Sequence, residues 1–475
     1  MKLADLKRAA LALLLAALTA CTAGPNYVRP AVETPAAFKE QGNWKQAEPR
    51  ELEARGKWWE MYQDPLLSSL QEQVSVSNQN LARAEAQYRQ ALALAQSARA
   101  GYFPTVTGGL SDTRSRASST TVAQPSATPV SRGVVTGHSL PFQASWAPDV
   151  WGNISRAVEA SDASVKASAA DLEAARLAAQ AALAQSYFQL RALDAQQMLL
   201  EETVAAYDKS LKLVQNQYAA GIVAKADVVQ ATTQIKTARA QAIDLGVQRA
   251  VLEHAIALLV GKPPSALSIP RQALATALPP IPDAVPSALL ERRPDIAAAE
   301  RRMAQANAQI GVAKAAFFPA LTLSASAGYQ SATMGDWLTM PSRFWSLGPA
   351  FAMNLFDGGL RRAQTAQAVA AYDANVASYR QTVLAAFQQV EDNLAALRIL
   401  GEEAEVQGEA VKSAEESLAL ALNQYKAGTV SYLNVVVAQA TALANQRTAV
   451  DLRSRRMSAS VQLITALGGS WMAAR

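Results

Sequence analysis

Apolar positions along this chain follow two periods. Steps of three and four run through Leu190, Leu193, Gln197, Leu200, Val204, Tyr207, Leu211, Val214 and Tyr218. They return through Leu397, Leu400, Ala404, Gln407, Val411, Ala414, Leu418, Ala421 and Tyr425. Such spacing forms a coiled-coil seam. The seams predict long helices over about 153–217 and 359–425, the first free of Pro and Gly. About 65 helical residues at 1.5 Å each reach about 100 Å, too long to bury in one compact domain. Gly221 and Gly428 then supply left-handed caps that reverse the chain. Second helices return over about 227–260 and 432–467.

Elsewhere the period drops to two. Leu321, Leu323, Ala325, Ala327 and Tyr329 alternate with Thr322, Ser324, Ser326, Gly328 and Gln330. Trp345, Leu347, Pro349, Phe351, Met353 and Leu355 alternate with Ser346, Gly348, Ala350, Ala352 and Asn354. Leu140, Phe142, Ala144 and Trp146 alternate with Ser139, Pro141, Gln143 and Ser145, and a weaker pattern holds Val106 and Leu110. One oily and one wet face over about ten residues is the signature of a membrane β-strand. Strands are predicted over about 104–114, 136–149, 319–331 and 343–356. Pro141 and Pro349 each remove a ladder donor and predict a bulge or irregularity. Trp146, Trp337, Phe344 and Trp345 are placed to mark a bilayer boundary.

The landmarks recur in order. Asn216-Gln217-Tyr218-Ala219-Ala220-Gly221 returns as Asn423-Gln424-Tyr425-Lys426-Ala427-Gly428, Tyr102-Phe103-Pro104 as Phe317-Phe318-Pro319, and Trp151-Gly152 as Phe356-Asp357-Gly358. One unit therefore occurs twice, as 65–261 and 288–468, each copy a helix, a β-hairpin and a long helical hairpin. Residues 262–287, with seven prolines, form a linker and equatorial region between the copies, and 469–475 a tail. Asp64 and Pro65 are placed to cap the first helix.

The beginning of the chain reads as an address. Lys2, Lys7 and Arg8 precede an apolar stretch, Ala9 to Leu18, too short to span a bilayer. Leu18-Thr19-Ala20-Cys21 resembles a lipobox, so 1–20 is expected to be a lipoprotein signal peptide and Cys21 the lipidated first residue of a leash over 21–64. Cys21 is the sole cysteine in 475 residues, which excludes a disulfide framework or a cysteine metal site. Losing residues 1–20 lowers the formal net charge from +5 to +3, and no dense basic patch suggests nucleic acid. No other stretch is long and oily enough for a transmembrane helix, so a membrane-crossing chain must use strands. The two histidines, His138 and His254, form no catalytic constellation, and no phosphate loop stands out; an enzyme is not expected. Asp149 and Asp357 read as caps at strand ends, and Arg292-Arg293 and Arg361-Arg362 as solvated or ion-paired helix ends.

Four strands cannot close a barrel, and an open sheet in lipid leaves edge amides unpaired at several kcal/mol per group. The barrel must be shared between chains. Two copies give eight strands and three give twelve; the pattern alone does not count subunits.

With these motifs the chain resembles the TolC-like outer-membrane factors, near the lipid-anchored branch of NodT-like and OprM-like efflux proteins. The resemblance rests on Cys21, Gly24-Pro25-Asn26-Tyr27-Val28-Arg29-Pro30, Trp58-Trp59, Asp64-Pro65-Leu66, Phe103-Pro104, Asp149-Val150-Trp151-Gly152, Arg293-Pro294-Asp295-Ile296, Phe318-Pro319 and Phe356-Asp357-Gly358-Gly359. It implies a mainly α protein with a membrane β-barrel: a trimer whose twelve-stranded barrel continues into a helical periplasmic tunnel in a Gram-negative outer membrane. It further implies passive conduction for an inner-membrane transporter of the RND type, through a periplasmic adaptor (a membrane fusion protein). Protein secretion and a non-channel scaffold lipoprotein are the other readings. No cofactor is expected beyond the lipid on Cys21. By the same resemblance the helical tips form the periplasmic gate and adaptor dock: Tyr218, Gly221 and Asp227 in the first copy, Tyr425, Gly428, Leu433, Asn434 and Val437 in the second. Asn434 and Val437 stand where some relatives carry aspartates, which favours an apolar plug of Leu433 with Tyr425 over a charged gate.

Overall fold

The computed structural model describes residues 23–31, 56–116, 118, 133–274, 277–279 and 293–469. Cys21, the expected signal peptide, most of the expected leash and residues 470–475 lie outside these. The elements run α1 (Pro65–Ser77), α2 (Gln79–Ala100), β1 (Thr105–Gly108), β2 (Ser111–Ser115), β3 (Val135–Trp146), α3 (Asn153–Ala219) and α4 (Lys225–Leu259). They continue with α5 (Pro294–Ala315), β4 (Ala320–Ser331), β5 (Arg343–Ala352), α6 (Leu360–Lys426) and α7 (Tyr432–Ala466). The described chain is mostly helical, with one antiparallel sheet. It divides into two compact units: 1–30, 89–166 and 300–377 in one, and 31–88, 167–299 and 378–475 in the other.

The first unit holds the sheet, in the order β1–β3–β4–β5 with β2 also on β3. The expected first strand is present but interrupted. β1 and β2 share one register against β3, and the break falls opposite Pro141. Gly109 donates to the Pro141 carbonyl at 3.0 Å, and Pro141 has no N–H to return. Neither proline makes a bulge: the registers of β3 with β4 and of β4 with β5 are unbroken. Carrying the donor alternation across β4 turns the missing N–H of Pro349 to the outer edge of β5, where no bond to β4 is lost. β5 also ends earlier than its alternation, so Met353 and Leu355 lie outside it. The reason is local. Arg361 donates to the Asn354 carbonyl at 2.6 Å and to Asp357, drawing the chain into α6.

Asp149 opens α3 by accepting from the amides of Ile154 at 2.8 Å and Ser155 at 2.7 Å. Both aspartates at strand ends are thus caps, as expected. The described start of the leash is not free. Ala23 donates to Trp151 O. Arg156, 5% exposed, reaches Ala23 O at 3.2 Å and Asn26 Oδ1 at 2.9 Å. Asn307 donates to Pro25 O at 3.0 Å. Gly24 (φ +95°) lies on Gly311 of α5 so closely that a Cβ on Gly24 would strike the Gly311 backbone, while one on Gly311 would strike the Arg156 side chain.

The second unit buries Trp58, Trp59 and Tyr62, on a short 3-10 helix, among Leu67, Leu183, Phe188, Ile256, Val461 and Ile464. Asp64 caps α1, accepting from Leu66 N and Leu67 N at 3.0 Å. The single helix expected after Asp64 is broken at Asn78, whose side chain caps α2 at Asn80 N and Leu81 N and donates to Leu259 O at 2.7 Å. Part of the Pro-rich segment is clamped by buried charge. Asp194, 1% exposed, meets Arg249 at 2.7 Å and Arg191 at 3.1 Å. Arg191 donates to Pro270 O at 2.7 Å and Arg249 to Ile269 O at 2.6 Å, while Glu253 takes the Ile269 amide at 2.6 Å. Removing one partner of such a cluster strands buried charge, at about 3–5 kcal/mol. Asp194→Ala should therefore lower the urea midpoint of the folded protein and speed proteolysis at 267–274; an unchanged midpoint would contradict the clamp.

Candidate functional site

Two regions carry the candidate residues: the faces of the sheet and the tips of the long helices. The register settles the faces. Leu140, Phe142, Ala144 and Trp146 of β3 stand opposite Tyr329, Ala327, Ala325 and Leu323 of β4, which stand opposite Arg343, Trp345, Leu347 and Pro349 of β5. Side chains opposite one another share a face, so the oily sets of all three strands, with Val106 of β1, form one surface. It is open: Val106, Phe142, Trp345, Leu347 and Phe351 are all more than half exposed. The reverse face carries Thr105, Thr107, Ser139, Gln143, Ser145, Thr322, Ser324 and Ser346, and Ser326 bonds Ser346 at 2.8 Å across strands. Trp146, at the helical end, and Trp345, toward the loop end, lie on the oily face. Phe344, next to Trp345 and opposite Gly328, lies on the wet one. Trp337, in the loop after β4, sets its ring 5.8 Å from that of His138.

At the tips, Gly221 (φ +73°) and Gly428 (φ +75°) make equivalent reversals. Ile222 donates to Gln217 O and Thr429 to Gln424 O, both bonds spanning the helix end. Tyr425, 5% exposed, donates to Gln217 Oε1 at 2.5 Å and packs edge-on against Tyr432, ring centroids 5.3 Å apart. Val214, Ala231 and Val435 complete this cluster. Tyr425 is thus a seam residue and does not share a surface with Leu433. Leu433, Asn434 and Val437 are exposed together on α7, Tyr218 is exposed, and Asp227 is half-buried. Burial raises the hydroxyl pKa of Tyr425, with the nearby Asp227 carboxylate adding to it. Burial first, then the neighbouring Tyr425, Tyr207 and Asp227, pushes Tyr432 up to about 12.

Sequence reading missed Tyr432 and Gln217. Tyr432, Val435, Gln439 and Ala442 are spaced three and four apart and are buried, so the signal was present in α7. His138 and Asp112 also escaped notice as a pair; the cross-strand register brings His138 Nδ1 to 3.3 Å from Asp112. His254 is exposed. Arg293 is buried and ion-paired with Asp295 at 2.6 Å. Arg361 holds the Asp357 carboxyl below its usual range, chiefly by a direct hydrogen bond. Among the described residues no His, Cys, Asp and Glu group is arranged for a metal, and no helix is long and apolar enough to cross a membrane.

A sheet with one exposed oily face joined to helices of 67 residues fits outer-membrane channels. The comparisons agree. The family described as "Outer membrane efflux protein" matches residues 70–262 and 285–469. The chain belongs to this family, whose function is efflux through an outer-membrane channel. It is 32% identical to the outer membrane protein OprJ of Pseudomonas aeruginosa, over 96% of this chain and 95% of that one. It is 32% identical to the pyoverdine export outer membrane protein OpmQ of the same organism, over 88% of each. The solved structure of the outer-membrane channel OprN superposes with a TM-score of 0.86 at 28% identity, covering 95% of this chain and all of that one.

The buried tip tyrosines give a pH test. A hydroxyl whose folded pKa lies above the unfolded value near 10 supports the fold fully below pH 10, and that support is lost as pH rises toward the folded pKa. The helical tips should therefore loosen between about pH 10 and 12. Tyr432→Phe should reduce this alkaline loss in hydrogen exchange at 425–435, and an unchanged profile would contradict the assignment.

Proposed function

We propose that three copies of this chain close a twelve-stranded barrel in the outer membrane and continue it as a helical duct. Through it, substrates handed over by an RND-type inner-membrane transporter and its periplasmic adaptor leave the cell. The observation that carries this is the sheet itself, oily on one face, polar on the other, with both outer edges unpaired among the described residues. In lipid those edges need partners, and another copy offers matching strands. Twelve residues of β4 at about 3.4 Å each span about 40 Å, or about 30 Å at a strand tilt of about 40°, which suits a bilayer core. Twelve strands leave a passage where eight would be filled by side chains. An exposed apolar stripe on α4, at Ile243, Val247, Val251 and Leu258, supports contact between copies along the helices as well. The recurring landmarks and the equal 67-residue helices support two copies of one unit within each chain.

In this reading Cys21 carries lipid, and Ala23, two residues on, is held beside Trp151 near the end of β3. The lipid would then enter the bilayer close to the base of the sheet. The tips would meet the adaptor around Gly221, Asp227 and Gly428. The aperture would be narrowed by Leu433 and Val437, the exposed apolar pair of α7, since Tyr425 is occupied in the seam. OpmQ, a pyoverdine export outer membrane protein, and OprJ, an outer membrane protein, support the same role for this chain.

Unboiled samples should run on gels as a heat-modifiable trimer, and a monomer under mild detergent would contradict the shared barrel. In planar bilayers, Leu433→Ser should raise single-channel conductance, because a polar side chain removes a dewetting constriction. Unchanged conductance would place the narrowing elsewhere.

A further inference from the structure

The charges of the sheet are placed with unusual economy. Among its strands only Asp112, Arg114 and Arg343 are charged, with His138 beside them. All four lie at the end that carries the loops, away from the helices: Asp112 stands opposite His138, Arg114 opposite Thr136, and Arg343 opposite Tyr329. All four also fall on the oily face, because His138 and Leu140 are two apart on β3, and Arg343 and Trp345 two apart on β5. Among the described strand residues the wet face carries no charge. Asp112 is engaged by His138 at 3.3 Å, so it is not directed at the arginines. Arg114 and Arg343 are exposed, and neither guanidinium has a partner among the described residues.

A cation directly above a band of exposed Leu110, Leu347 and Trp345 sits where the hydrocarbon of a bilayer gives way to its headgroups. Both arginines occupy edge strands, β2 and β5. In the edge-to-edge assembly proposed above, β5 of one copy adjoins β1 and β2 of the next, about 4.8 Å away. Arg343 and Arg114 then line the same junction on the same face. Like charges brought together destabilise a strand pair unless an anion lies between them. Guanidiniums match phosphate oxygens in fork geometry better than any other side chain does. We infer that Arg114 and Arg343 form a phosphate-binding rim on the outer face of the barrel, recruiting the headgroup of an anionic, phosphate-bearing lipid from the surrounding outer leaflet. This rests on the reading of the sheet as a shared barrel with its loops outward.

The test uses the full-length protein reconstituted in phosphatidylethanolamine vesicles doped with bisphosphorylated lipid A, and in parallel with its dephosphorylated form. Lipid retained after detergent extraction is counted by mass spectrometry. The wild type should retain the bisphosphorylated lipid, and Arg114→Gln/Arg343→Gln should retain about tenfold less. Raised salt should weaken wild-type retention, as expected of a surface charge contact. Equal retention by the double variant would overturn the proposal, as would wild-type retention of the dephosphorylated lipid, which would mark the contact as apolar. Conductance and the unboiled gel band are recorded on the same samples. A conducting trimer with unaltered lipid retention rejects the rim alone, whereas a wild type that neither trimerises nor conducts rejects the shared barrel beneath it.

Discussion

Backbone amides in oil tolerate no vacancy, and the interior of the sheet is built to that requirement. Inside the sheet the ladder runs without a register slip from β3 through β5. Its one internal gap lies between β1 and β2, opposite the proline that cannot donate. Pro349 stands where its absent N–H faces outward, so it weakens the edge and leaves the interior intact. In lipid, a sheet whose outer edges are unpaired among the described residues would need partners for those edges.

The ends of the strands meet the helices through a small set of polar contacts. Asp149 and Asp357 each take backbone amides just past a strand and start a helix. Arg156, next along from one of these caps, reaches back to hold residues that follow Cys21. Gly24 and Gly311 let that strand of chain approach α5 closely. The chain from Ala23 onward is therefore held against the start of α3 and against α5.

The helical unit balances two kinds of contact. Around the 3-10 helix, aromatic rings pack densely: Tyr62 and Phe188 have centroids 4.8 Å apart, and Tyr62 also bonds Ser460 at 2.9 Å. Nearby, the Asp194 cluster replaces packing with charge, because the Pro-rich segment it holds has few donors of its own to offer. At the tips the seam closes on Tyr425 and Tyr432, while the next turn of α7 exposes Leu433 and Val437. Structural and exposed residues there differ by one step along the helix. That step separates a side chain that holds the tip together from one that can meet water, solute or a neighbour.

Period, punctuation and caps were legible in the sequence. The steps of three and four located both seams, and residue after residue of them is buried or half-buried, Tyr218 excepted. The alternation of two located the strands and separated their faces. Asp64, Asp149, Asp357, Gly221 and Gly428 marked boundaries, because caps and left-handed turns act over a few residues and need no distant partner. What stayed hidden depended on contacts between residues far apart in the chain. Asn78 breaks a helix because Leu259 lies beside it. Asp112 and His138 pair only once the strands are in register. Tyr425 is buried because Gln217 and Tyr432, far from it or across a turn, surround it. Local periodicity decides which face of an element is oily; only the tertiary structure decides what that face touches.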